Sequence, residues 1–271
     1  MTEPYHIIDI GVNLGHRSFA ADRAQVITRA LAAGVKTMIV TGSSLAGSQA
    51  ARQIASEYPG QLFSTAGVHP HDSRSCTDET IAELRKMASL DEVVAIGECG
   101  LDFYRDFSPR DLQEQWFGAQ VALAEELQMP VFLHERDARA RFCEILTAHL
   151  HRAPAVLHCF TGSAEDLKVY LDMGLFIGIT GWICDERRGT HLRELVRHIP
   201  ADRLMIETDA PFLVPRSMPH KPKDNRNEPA FLPHVLETVA QCLGKPAAEV
   251  AESTTRTAKA FFRLPGSRFG A

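Results

Sequence analysis

Acids and imidazoles stand at the ends of apolar runs in this chain. VVAIGECGLD (93–102) is β-type until Glu98 interrupts it between Gly97 and Cys99. GVHPHD (67–72) carries His69 and His71, VFLHERD (131–137) carries His134, and AVLHCFTG (155–162) carries His158. LMIETDAP (204–211) ends in Glu207 and Asp209. A glutamate is seldom buried unless it is paired or bound to a cation. Two imidazoles with one or two carboxylates form a hard-to-borderline donor set for Zn2+, Mn2+ or Mg2+, and carboxylates favour the harder ions. A cation would supply the counter-charge that an acid at the end of an apolar strand lacks. Any one of these residues can be read as a strand-end cap; four of them at four strand ends favour a shared metal centre. For His69 and His71, one is expected to face the pocket and the other to brace a loop, with Pro70 fixing the chain direction between them.

These residues can meet only if the elements carrying them are arranged for it. Eight short apolar runs recur: 6–14, 36–42, 62–69, 93–100, 131–137, 155–162, 175–182 and 204–211. They are near-continuous in Val, Ile, Leu, Ala and Phe, as expected of parallel strands buried on both faces. Helical spacing lies between them: Val26, Ile27, Ala30 and Leu31 share a face within 21–31. Ser108-Pro109 predicts an N-cap with Pro at the first helical position of a helix reaching Met129. Ser163 to Asp166 starts another helix, and two more fit 229–243 and 246–262, after a Pro-rich basic loop at 211–227. No linker divides the chain, so one domain over residues 1–271 is expected. DIGVNLGH after the first run is not a GxGxxG loop, which disfavours an open doubly wound sheet. The expected class is α/β, a (β/α)8 TIM barrel. In that fold the C-terminal strand ends share the face that carries the active site, so Glu98, His134, His158 and Asp209 would converge there as a metal site.

Composition sets outer limits. A net charge of -5 argues against wrapping long nucleic acid on a basic surface, without excluding a local cationic groove. The six cysteines are scattered without a CxxC pair and read as small buried hydrophobes in a reducing cytosol. MTEPYHIID has no basic region followed by an apolar stretch, so no signal peptide is expected, and no run is long enough to span a membrane. A cytoplasmic monomer with no membrane partner is the expectation.

Taken together, GVHPHD, AIGECGLD (95–102), FLHERDA (132–138), VLHCFTG (156–162), GITGWICDERRG (178–189), IETDAP (206–211) and RNEPAFLP (226–233) resemble the TatD family of metal-dependent deoxyribonucleases, within the amidohydrolase-like TIM barrels. The resemblance implies that Glu98, His134 and His158 hold a divalent metal and that Asp209 is a ligand or the catalytic carboxylate. It implies a 3′-5′ exonuclease on single-stranded DNA, with RNA a further substrate, and a role in DNA repair or degradation. One departure stands out: an H-x-H motif opens most relatives, whereas Gly11 and Asn13 occupy those positions here. The expected centre is therefore one firm site, with a weaker second one built from Glu98, Asp209 and waters and filled when phosphate arrives. Mg2+ suits that picture because it keeps several waters and binds through few carboxylates plus substrate phosphate; Mn2+ and Zn2+ are the alternatives.

The expected mechanism is metal polarisation of the scissile phosphate, with Asp209 accepting a proton from the attacking water and His69 or His71 donating to a phosphate or leaving oxygen. Substrate-binding residues would be His69, His71, Arg136 and Arg188. A cationic rim of Arg105, Arg136, Arg187, Arg188, Arg216, Lys221, Lys223 and Arg226 would hold phosphates, and Phe103, Phe160 and Trp182 would offer stacking faces. Two other readings compete. One is a metal hydrolase acting on a lactone or a D-aminoacyl-tRNA ester. The other is a non-catalytic nucleic-acid-binding barrel, favoured by the missing H-x-H.

Overall fold

A computed structural model describes residues 5–265; Met1–Pro4, on which part of the signal-peptide expectation rests, lie outside them. All eight apolar runs form strands: β1 (Ile7–Val12), β2 (Val35–Val40), β3 (Leu62–Ala66), β4 (Val93–Asp102), β5 (Val131–Arg136), β6 (Ala155–Leu157), β7 (Phe176–Ile179) and β8 (Leu204–Ile206). They make one eight-stranded sheet in the order β1 to β8, with helices alternating between strands, and the fold class is a (β/α)8 barrel. Apart from β2, β4, β5 and β7, which carry some half-buried positions, every strand residue is buried, which is why the runs lack polar alternation.

The chain divides into two compact units, residues 1–39 with 159–271, and residues 40–158. In the first, β7 pairs parallel with β8 in the register Ile177 to Leu204 through Ile179 to Ile206. The segment after β8 returns to β1: Asp209 N donates to Gly11 O (2.9 Å) and Asn13 N to Ala210 O (2.8 Å). Helices α1 (Arg23–Ala32), α6 (Ala164–Asp172), α7 (Thr190–Leu195), α8 (Leu232–Leu243) and α9 (Ala247–Phe261) belong to this unit. Helix α6 starts at a capping box in which Ser163 and Asp166 satisfy each other's backbone N–H groups.

The second unit carries β3 to β6 with α2 (Leu45–Ser56), α3 (Thr80–Ala88), α4 (Arg110–Leu127) and α5 (Arg139–His149). Ser108 does not cap α4 as its position before Pro109 predicts. Its hydroxyl instead donates to His71 O (2.7 Å) and accepts from Arg74 N (3.2 Å), tying the loop after β3 to the start of the helix. Helix α4 ends in a left-handed Gln128, two residues before Pro130. Among the described residues no helix is long and apolar enough to cross a membrane. Cys99 and Cys184 are buried as expected, and the other four cysteines are half-buried.

Candidate metal centre

Glu98 leaves the β-ladder at the point where the apolar run is interrupted. Gly97 pairs with Phe132 and Cys99 with Leu133, so Glu98 is the extra residue of a bulge in β4. Its N–H turns away from β5 and donates to Gly42 O (2.7 Å). Bulges redirect side chains, and this one frees an acid from the ladder. The flanking glycines make the close approach feasible. A Cβ on Gly97 would lie 2.2 Å from Phe132 O, and one on Gly100 would lie 1.8 Å from His134 O. Both have φ values, +131° and +152°, that side chains rarely adopt. The glycines on either side of the acid therefore let β4 press against β5 where His134 sits.

Three imidazoles converge on one Glu98 oxygen. His158 Nε2 lies 3.0 Å from Oε1, His134 Nδ1 3.1 Å and His69 Nε2 3.3 Å. Glu98 is only 7% exposed. Burial would raise its carboxyl, but His69, His158 and His134 outweigh it and hold Glu98 well below the usual carboxylate range. Burial depresses His69 to about 4, leaving that ring neutral. Burial also opposes charge on His134, yet Asp102 and Glu98 together raise it.

This donor set fits a divalent cation. Donor atoms of His69, Glu98 and His134 all lie within 4.8 Å of one another. His134 Nε2 is buried and makes no close hydrogen bond, with Asp102 Oδ2 standing 3.5 Å away. Nδ1 is the nitrogen turned to Glu98, so an ion held there would leave the ring's proton on Nε2, aimed at the Asp102 carboxylate. Proximity alone groups His69 with Glu98 and His134, but its hydrogen bonds assign it another task. Its Nδ1 accepts from His71 N (3.1 Å), so the neutral ring carries its proton on Nε2. That nitrogen is a donor pointed into the site, not a free ligand lone pair.

The supporting residues come from the same unit. Asp102, the last residue of β4, is buried; Oδ2 lies 2.7 Å from His71 Nε2, and Oδ1 accepts from Tyr104 N (3.1 Å) and Arg105 N (2.8 Å). Helix α4 contributes two buried amides one heptad apart. Gln113 Oε1 accepts from Asp102 N (2.9 Å), and Gln120 bonds both Val68 N (2.7 Å) and Val68 O (3.1 Å), fixing the residue before His69. None of these three stood out in the sequence. Asp102 sits in a turn-like LDFYRD context, and the glutamines read as ordinary helix polar residues.

Asp209, Glu207 and Arg188 lie in the other unit. Asp209 has a left-handed backbone (φ 53°), and its Oδ1 accepts from Asn13 Nδ2 (3.0 Å). Asn13 thus presents its amide to the acid. Glu207 is buried and accepts from Cys159 N (2.6 Å). The guanidinium of Arg188 stands 5.8 Å from the Trp182 ring centre. Two expectations need correction. Arg226 is not a free rim cation, because Asp22 (2.7 Å) and Glu228 (2.9 Å) neutralise it, and Arg216 faces Asp185 and Glu186. Phe160 is no stacking face either: it is 2% exposed and packs edge-on against Tyr170. Arg136, by contrast, lies over the ring of Tyr104 at 4.4 Å.

Comparison with known proteins agrees with this architecture. A family model described as TatD related DNase matches residues 8–263. A protein of Rahnella sp. named 3′-5′ ssDNA/RNA exonuclease TatD is 52% identical over 263 residues, covering 97% of this chain and all of that one. A protein of the same name from Escherichia fergusonii is 53% identical over 262 residues, covering 95% and 99%. Among solved structures, the TatD homologue YJJV from Escherichia coli superposes with a TM-score of 0.87 at 26% identity, covering 96% of this chain and 99% of that one.

Proposed function

Because the chain belongs to the TatD related DNase family, we propose that it is a divalent-metal-dependent 3′-5′ exonuclease that hydrolyses phosphodiester bonds in single-stranded DNA and RNA. The convergence of three imidazoles on the buried carboxylate of Glu98 carries this reading. Glu98, His134 and His158 would hold the ion. When bound, a divalent cation polarises the scissile phosphate and stabilises the charge that develops on its oxygens. Mg2+ is the ion proposed, completed by waters and substrate phosphate, although imidazole donors also suit Mn2+ and Zn2+.

The side chains divide the remaining work. His69 is neutral and donates from Nε2, which suits it to a phosphate or leaving-group oxygen. His71, anchored by Asp102, holds the backbone N–H that fixes His69's tautomer. Arg136 supplies a cation for a neighbouring phosphate. Asp209 is assigned as the proton acceptor, and Arg188 as a further phosphate contact, on their place in the matching motifs. A single catalytic domain over residues 1–271, acting as a cytoplasmic monomer in DNA repair or degradation, completes the proposal; light scattering tests the oligomeric state.

The deciding experiment is Glu98→Gln assayed on a 5′-labelled single-stranded oligonucleotide across Mg2+, Mn2+ and Zn2+ titrations. Loss of at least about 100-fold in kcat/KM with every ion is expected, on the scale of removing a charge-stabilising group. Full activity in the variant would overturn the metal assignment.

A further inference from the structure

The loop after β4 carries two rings that the core does not use. Tyr104 is 61% exposed and Phe107 49% exposed. Isolated exposed aromatics are ordinary. These two, however, are locked to the candidate metal centre. One oxygen of Asp102 accepts the Tyr104 and Arg105 N–H groups while the other contacts His71. The Phe107 ring lies 4.7 Å from the His71 ring, and His71 lies 4.2 Å from His69, ring centre to ring centre. Each exposed ring also has a cation beside it, Arg136 at 4.4 Å from Tyr104 and Arg105 at 6.0 Å from Phe107. Exposed aromatic faces alternating with guanidinium groups are the chemistry that holds an unpaired base and its phosphate.

We propose that Tyr104 and Phe107 form a stacking platform for an unpaired base of the substrate strand, with Arg136 and Arg105 holding the adjoining phosphates. This inference rests on the nuclease reading above. It assigns single-strand selectivity to a place on the protein: a base still paired in a duplex cannot lie on these rings without first unpairing and unstacking. Asp102 sets the distance between platform and metal centre, so the stacked base positions its own phosphodiester.

The test compares two 5′-labelled single-stranded oligonucleotides, one with a natural 3′-terminal nucleotide and one with a tetrahydrofuran abasic residue there. The wild-type protein should cleave the natural end with a KM about tenfold lower, the equivalent of about 1.4 kcal/mol. In the Tyr104→Ala/Phe107→Ala protein that KM ratio should fall toward one, whereas Tyr104→Phe/Phe107→Tyr should retain it. Both rings stand outside the buried core, Phe107 touching only the His71 ring among the described aromatic rings, and circular dichroism checks the fold. A wild-type protein indifferent to the abasic end, or an alanine variant that discriminates as wild type does, overturns the platform while leaving the nuclease reading intact. Failure of the wild-type protein to cleave either strand with any divalent ion overturns the nuclease reading and the platform with it.

Discussion

Asp102 Oδ2 lies 2.7 Å from His71 Nε2, and through that contact a buried carboxylate links the metal-centre histidines to the loop that follows β4. Burial opposes its charge, but His134, His71 and the Arg105 N–H hold Asp102 well below the usual carboxylate range. Asp102→Asn preserves the shape and removes the charge. Activity should fall roughly 10- to 100-fold, the usual penalty for losing a carboxylate that orients ligating histidines. Metal affinity, measured by calorimetry, should weaken in parallel. A variant with wild-type kcat/KM and metal affinity would show that the carboxylate orients nothing.

Gln120 clamps both backbone groups of Val68 from α4. Gln120→Leu fills similar space but strands a buried N–H and a buried C=O. Each unsatisfied group costs about 1–3 kcal/mol. The variant should lose about 2–5 kcal/mol in denaturant unfolding and also lose activity, because His69 follows the freed residue. Wild-type stability would mean that Val68 finds other partners.

The contrast between Glu98 and Asp102 shows how much of the site was legible. Glu98 interrupts an apolar run between two glycines, so the anomaly is visible without coordinates. Asp102 stands four residues further along the same strand, among residues that read as a turn, and its partners His71 and His134 are remote in sequence. The eight strands were legible because burial on both faces removes alternation; their ends were not. The run at 62–69 leaves the ladder after Ala66, and β6 keeps only three residues. Direction of exposure was equally hidden. Phe160 and Tyr104 are both aromatics beyond a strand end, yet one is buried and the other faces water. That difference depends on what packs above each ring, which no local pattern encodes.

Gly100 permits the approach of β4 to the His134 carbonyl. In Gly100→Ala the new methyl would meet that oxygen at 1.8 Å, with backbone on both sides unable to yield cheaply. The expected cost is more than about 2 kcal/mol, together with displacement of His134 and reduced activity. Gly60→Ala is the control: its φ is +78° but nothing lies within 4 Å, so only backbone strain of about 1 kcal/mol applies. Equal losses in the two variants would refute the steric account.

Asp9 predicts a pH dependence that originates in the β1–β8 connection. It is wholly buried and accepts from Thr208 N (2.9 Å), Gly11 N (3.3 Å) and the Thr208 hydroxyl (2.5 Å). Burial pushes its carboxyl up to about 8, against the opposing hydrogen bonds from Thr208. The folded protein therefore binds this proton more tightly than the unfolded chain, whose aspartate titrates near 3.8. Stability from this group is complete below about pH 4 and drains away as pH rises to about 8, by an amount on the order of a few kcal/mol. Asp9→Asn mimics the protonated form: its carbonyl keeps the two N–H donors and its amide faces the Thr208 hydroxyl. The variant should match the wild-type protein near pH 4, exceed it in thermal midpoint near pH 8, and show a shallower slope between. Parallel stability profiles across that range would mean that Asp9 stays ionised in the folded protein, and that its bonds to Thr208 outweigh its burial.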